Sequence, residues 1–259
     1  MKKKTTIIYL ISIGIALLFL IYYTFISEKD YYKIQSRVKN IETTNKIGED
    51  YDNVAWLRIQ GTNIDFPVVK EKNGAYKYPV DKDKYVWLIN ASNQYKDFII
   101  INGHNIMNLS SNPKIKEKGF TRLEALMAFV YYDFAKENQY IQYTVNQKDY
   151  LYKIFSVAFI DNSSINAFIN PTDEYTKEDI KEQIKLYKEK SLYNYDIKVN
   201  EKDKIITILT CTRFKKNQNV NFVVSGRLLR KKEQVQKTEI KKNTKNYKLV
   251  EDAMKGDKE

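Results

Sequence analysis

A single cysteine and a single histidine stand in 259 residues. One cysteine excludes an internal disulfide scaffold, and one of each excludes a Cys/His zinc cluster, because the ligands are not there. Eight glycines and four prolines exclude a collagen-like or linker-dominated chain. What the chain does have is 43% hydrophobic and 14% aromatic residues, enough to build a core and to exclude global disorder. Lys and Arg number 44 against 32 Asp and Glu, a net charge of +12, which invites an anionic neighbour such as nucleic acid, a membrane surface or an acidic wall polymer.

The N-terminus chooses among these. Lys2, Lys3 and Lys4 precede an uncharged run over residues 7–26, rich in Ile, Leu, Phe and Tyr. About 20 apolar residues span a bilayer core of roughly 30 Å. A cleaved signal peptide has a shorter apolar run and a small-residue cleavage site; here Tyr22-Tyr23-Thr24-Phe25 suits an interfacial aromatic belt instead. The lysines mark the cytoplasmic side, so residues 1–6 are expected inside, 7–26 in the membrane as a signal anchor, and the remainder outside the cell. That placement sets nucleic acid aside as a partner. The positive charge is also dispersed, as in Lys114-Ile115-Lys116-Glu117-Lys118, and reads as a solvated surface with some attraction for wall polymers.

Beyond the span, residues 27–52 read as a helical membrane-proximal segment, amphipathic from Tyr31 onward. Short β-branched and aromatic runs bounded by turn residues then predict strands over 54–59, 66–69, 85–89, 98–101, 140–145, 150–159, 196–199, 205–209 and 222–229. Helices are predicted over 121–134, from the spacing of Leu123, Leu126, Met127 and Val130, and over 176–187, which opens on an approximate capping box at Thr176-Lys177-Glu178-Asp179. Many strands and few helices predict a mainly β fold, a barrel closed or nearly so over residues 53–230. Residues 231–259 hold nine Lys against six Asp and Glu and read as a Lys-rich charged tail, mobile or weakly helical.

Cys211 ends the run Ile205-Ile206-Thr207-Ile208-Leu209-Thr210-Cys211, where a strand gives way to a polar loop. It reads either as a buried structural thiol or as a nucleophile at a barrel mouth. A lone thiol outside the membrane has a reason to persist if it is reactive. His104 follows the buried strand Phe98-Ile99-Ile100-Ile101 and sits beside Gly103; it reads either as a surface histidine without duty or as the acid/base partner of the thiol.

These residues carry a family resemblance. Thr207-Ile208-Leu209-Thr210-Cys211 is similar to the T-L-x-T-C signature of class B sortases, the membrane-anchored cysteine transpeptidases of Gram-positive bacteria. Asn102-Gly103-His104-Asn105 resembles the segment that bears their histidine, and residues 56–69 resemble their W-L-x-I-x-G-T-x-I-D-x-P-V-V stretch. The resemblance spans residues 53–229. It implies an eight-stranded sortase barrel with inserted helices, no metal or organic cofactor, and cleavage of a sorting motif after its threonine. Cys211 and His104 are the implied catalytic pair, with Thr210, Asn105 and Asn221 at the substrate. The implied partners are secreted proteins with a C-terminal sorting signal and a peptidoglycan amine.

One position departs from the family. The strand after the cysteine loop carries an arginine in family members, and aligning Phe222-Val223-Val224-Ser225-Gly226-Arg227 with it puts Asn221 there. Arg213 is the candidate replacement, and Arg227, six residues along at about 3.3 Å each, lies too far away. Three readings follow: a transpeptidase, a weak or inactive sortase-like scaffold that binds sorting peptide or wall polymer, and, less favoured, a pilin polymerase.

Overall fold

The computed structural model describes residues 13–18, 51–71, 86–89, 97–105, 123–161, 163–164, 175–212 and 220–256. Residues 13–18 are helical and fall in a different compact unit from the strands, one that also takes in Gln234–Gln236. Among the described residues no helix is long and apolar enough to cross a membrane; most of the expected span, and all of the expected helical segment up to residue 50, lie outside the described residues.

The other unit is a closed eight-stranded barrel. Its strands are β1 (Tyr51–Ile59), β2 (Asp65–Glu71), β3 (Val86–Leu88), β4 (Phe98–Asn102), β5 (Tyr140–Val145), β6 (Lys148–Asp161), β8 (Ile205–Thr212) and β9 (Val220–Leu228), in the order β1-β2-β3-β4-β8-β9-β6-β5. Pairing of β1 with β5 closes it. Two tight turns set the registers on that side. Between β1 and β2, the Thr62 hydroxyl donates to the Ile59 carbonyl at 2.8 Å, and Gly61 takes φ 75°. A Cβ at Gly61 would sit 2.2 Å from Asn138 Oδ1, so both backbone and space require glycine. Between β5 and β6, Asn146 and Gln147 both have positive φ, the requirement of a two-residue type I′ hairpin.

Side chains alternate along each strand and sort into two apolar clusters. One draws residues from all eight strands, among them Leu57, Val68, Leu88, Ile101, Tyr143, Val157, Ile208 and Val224: this is the barrel interior. The other holds Trp87, Ile100, Ile160, Leu209 and Val223, together with Ile180, Ile184 and Tyr187 of helix α2 (Lys177–Lys190). It is the outer face of β3, β4, β8, β9 and β6, covered by α2. The capping box of α2 is present in full, Thr176 and Asp179 satisfying each other's backbone N–H.

Three expectations need revision. The helix over 121–134 is a 3₁₀ helix, Leu123–Val130, buried on every side, followed by helix α1 (Tyr132–Glu137). The strand over 196–199 does not form. Ile197 and Val199 alternate with exposed neighbours and pack on the outer cluster, but they join no ladder; the strand is β7 (Tyr193–Tyr195), paired with β10 (Ile240–Lys242). The tail is folded as well: through β10 and helix α3 (Thr244–Gly256), Ile240, Tyr247 and Val250 are buried and join the first cluster from outside the eight strands, and the Asn246 amide donates to the Ser191 carbonyl at 2.9 Å.

Candidate active site

Two neighbouring strands place the lone histidine and the lone cysteine. β4 and β8 run parallel with Phe98 opposite Ile205 and Asn102 opposite Leu209. The contact continues past the end of β4: the Gly103 N–H donates to the Leu209 carbonyl at 3.3 Å, and the Thr210 hydroxyl donates to the Gly103 carbonyl at 2.6 Å. Two residues further along the same register, His104 comes level with Cys211, one strand spacing of about 4.8 Å away. Both are on the outer face, by alternation from Ile100 and Leu209.

Each residue is held from behind. The His104 carbonyl accepts from the Leu123 N–H at 2.8 Å, so the start of the 3₁₀ helix fixes the loop that carries it. Its ring lies 4.9 Å from that of Trp87, tilted by 50°. Gly103 lets the chain pass close by: a Cβ there would meet Leu123 Cγ at 2.7 Å and Val86 Cγ1 at 3.0 Å. Cys211 is exposed, yet its surroundings push the thiol up from its ordinary value, with a backbone hydrogen bond acting weakly the other way. The resting thiol is therefore neutral and needs a base to become a nucleophile.

On the opposite flank Asn221 is the cross-strand partner of Cys211. It is buried, and its own partner on β6 is Ile160. Cys211, Asn221 and Ile160 thus stand level on three neighbouring strands, with His104 just past the end of the fourth, β4. Further down this face α2 is seated on a polar layer. Thr207 and Ser225 hydroxyls lie 3.1 Å apart, burial pushes the Tyr187 phenol up to about 12 against the opposing pull of the neighbouring Thr207, Gln183 and Ser225 side chains, and the Ser156 hydroxyl donates to the Tyr187 carbonyl at 2.7 Å.

Of the residues singled out in the sequence, Cys211, His104 and Asn221 come together, and Asn105 is half-buried next to His104. Thr210 does not line the groove: it is fully buried and alternation turns it into the barrel, so its hydroxyl serves the β4–β8 seam. Arg213 lies outside the described residues. Arg227 is engaged elsewhere, its guanidinium paired with the Glu233 carboxylate. Trp87 joins the site through its ring contact with His104; in the sequence it is marked only as an aromatic in the strand segment that precedes the histidine strand. Among the described residues no group of three or more His, Cys, Asp or Glu side chains is gathered as a metal would require.

Comparison with known proteins fits this arrangement. The sortase domain family model matches residues 57–229. Sortase B of Listeria monocytogenes is 24% identical over 207 residues, 77% of this chain and 76% of that protein. Among solved structures, Clostridium perfringens sortase B superposes with a TM-score of 0.58 at 25% identity, covering 74% of this chain and 99% of that one. A Staphylococcus aureus sortase B–substrate complex superposes with a TM-score of 0.56 at 20% identity, covering 81% and 91%. Because the family match runs from β1 to the end of β9, and so takes in every strand of the barrel and both residues at its parallel seam, the chain belongs to the sortase family, with sortase B proteins as its relatives in sequence and fold.

Proposed function

We propose that this chain is a cysteine transpeptidase that cleaves a C-terminal sorting motif of secreted proteins and joins them, through a thioester on Cys211, to an amine of the cell wall. The observation that supports the reading is the parallel β4–β8 register, whose last pair is Asn102 opposite Leu209, two residues before the lone imidazole on one strand and the lone thiol on the other. His104 takes the Cys211 proton as Sγ attacks the carbonyl carbon. The tetrahedral adduct then collapses: the C–N bond breaks, the leaving amine takes the proton from His104, and a thioester remains. The acceptor amine next gives its proton to His104 as its nitrogen attacks the thioester. The C–S bond breaks, the proton returns to sulfur, and the new amide departs. Thr210 and Trp87 are positioning residues, acting through the backbone and ring of the histidine segment.

Residues 7–26 hold this domain on the outer side of the membrane. Their uncharged length supports the assignment, as do Ile13, Ile15, Leu17 and Leu18, which are exposed. Protease added to intact protoplasts degrades the barrel if this is right and spares it if it is wrong.

A second reading has its own observation. Asn221 stands beside Cys211 where the family resemblance leads one to expect a guanidinium, which favours a scaffold that binds sorting peptides without turning them over. The full chain in detergent, given a pool of peptides with sorting-type C-termini and a panel of primary amines, separates the two. A ligated peptide that disappears in Cys211→Ala supports the transpeptidase; retention of peptide without any ligated product supports the scaffold.

A further inference from the structure

Acyl transfer from a thiol needs more than a nucleophile and a proton carrier: the negative charge that builds on the carbonyl oxygen must meet a donor, and such stabilisation is commonly the largest catalytic contribution. Resting on the cysteine acyl-transfer reading above, we propose that the side-chain amide of Asn221 is that donor, so that this chain stabilises its oxyanion with a neutral group.

Four observations converge on it. Asn221 is directly opposite Cys211 in the β8–β9 ladder, so their Cβ atoms are about 4.5–5.5 Å apart on one face. A carboxamide extends from that Cβ far enough to reach the atoms newly bonded to Sγ, and it offers two N–H donors. Asn221 is 6% exposed, and a hydrogen bond made in a water-poor setting is stronger than one in solvent. Its partner on the other flank is the apolar Ile160. His104 and Asn221 then occupy opposite sides of the thiol: proton transfer is served from the β4 side, and the oxygen is turned toward β9. The buried guanidinium on the same strand, Arg227, is six residues away, roughly 20 Å, and is committed to Glu233.

A neutral donor also accounts for the state of the thiol. Partial desolvation by the neighbouring groups pushes it up although the residue is exposed; an amide leaves that balance alone, whereas a cation would pull it down. Asn221 therefore acts on the transition state and has little effect on the resting nucleophile, which makes its contribution separable by experiment.

The experiment uses the full chain in detergent, with Asn221→Ala and the isosteric Asn221→Asp, and two probes that need no sorting motif. p-Nitrophenyl acetate acylates Cys211 through a tetrahedral oxyanion; iodoacetamide alkylates the same sulfur by displacement and forms none. Dividing the acylation rate by the alkylation rate at pH 8 removes any change in thiolate fraction or in exposure. The ratio is expected to fall about 10²-fold in both variants. A fall of less than tenfold in either variant overturns the proposal. Failure of peptide ligation in the parent, with the ratio still falling in both variants, defeats the transpeptidase reading and leaves the role of Asn221 standing.

Discussion

The Thr210 hydroxyl donates to the carbonyl oxygen of Gly103 at 2.6 Å across the parallel seam of β4 and β8. One residue beyond each of these partners stand Cys211 and His104. The bond is fully buried and points into the barrel, so it acts on the spacing of the two strand ends, where nucleophile and base must stay within a proton's reach of each other.

Thr210→Val keeps the shape of the side chain and removes the donor. It is expected to cost about 1–2 kcal/mol of stability and to lower kcat/KM about tenfold while leaving KM nearly unchanged. Thermal unfolding together with steady-state ligation kinetics checks this; a variant that loses stability with no change in kcat confines the bond to folding.

Gly103→Ala places a methyl 2.7–3.0 Å from Leu123 and Val86 side-chain atoms. Overpacking of this kind costs about 1–3 kcal/mol, and the displaced backbone carries His104 with it. The penalty is expected to shrink when Leu123→Ala makes room, so a double-mutant cycle by denaturant unfolding should show coupling between the two sites; simple additivity would contradict it.

Because partial desolvation pushes the exposed Cys211 thiol up, its alkylation in the absence of peptide is expected to keep rising with pH beyond the midpoint of an ordinary cysteine, about 8.5. Rates of iodoacetamide labelling from pH 6 to 10 read this directly. A plateau reached near neutrality would show a preformed thiolate and contradict the account.

Glu233 is held down to about 2, chiefly by hydrogen bonds from the buried Arg227 guanidinium. A carboxylate whose folded value lies below its unfolded one stabilises the fold at higher pH and loses that contribution as pH falls. Glu233→Gln is therefore expected to be less stable than the parent by about 3 kcal/mol at pH 7. The gap should narrow as pH drops from about 4.5 toward 2. A gap that persists unchanged at pH 2 would place its origin in packing.

Much of the fold was legible in the chain because local chemistry and tertiary structure agree there. The Gly61-Thr62 turn, the alternation in β4 and β8, and the Thr176 cap each satisfy one local rule that the barrel also uses. The single thiol and imidazole were legible as candidates by count alone, but their meeting was not: it depends on a parallel pairing between segments roughly a hundred residues apart. Ile197 and Val199 misled because alternation reports half-burial, and an extended segment can be half-buried without a ladder. The spacing of Leu123, Leu126, Met127 and Val130 marks a helix there, but its tighter 3₁₀ winding was not legible, because Leu123–Val130 is buried all round and shows no polar face against which to fix the period. The weak helicity expected of the tail is present as α3, but its docking was not legible, because Ile240, Tyr247 and Val250 make no long periodic stripe in a segment so rich in charge.

The central claim is that Cys211 forms a thioester with a sorting peptide and that His104 completes its formation by protonating the leaving amine. Intact-protein mass spectrometry of the full chain, mixed with the peptide pool and quenched in acid before any amine is added, tests it most directly. The account predicts an acyl adduct on the parent that hydroxylamine removes, none on Cys211→Ala, and on His104→Ala an adduct that accumulates several orders of magnitude more slowly. An adduct of equal yield and rate on His104→Ala, or one that survives on Cys211→Ala, would contradict it.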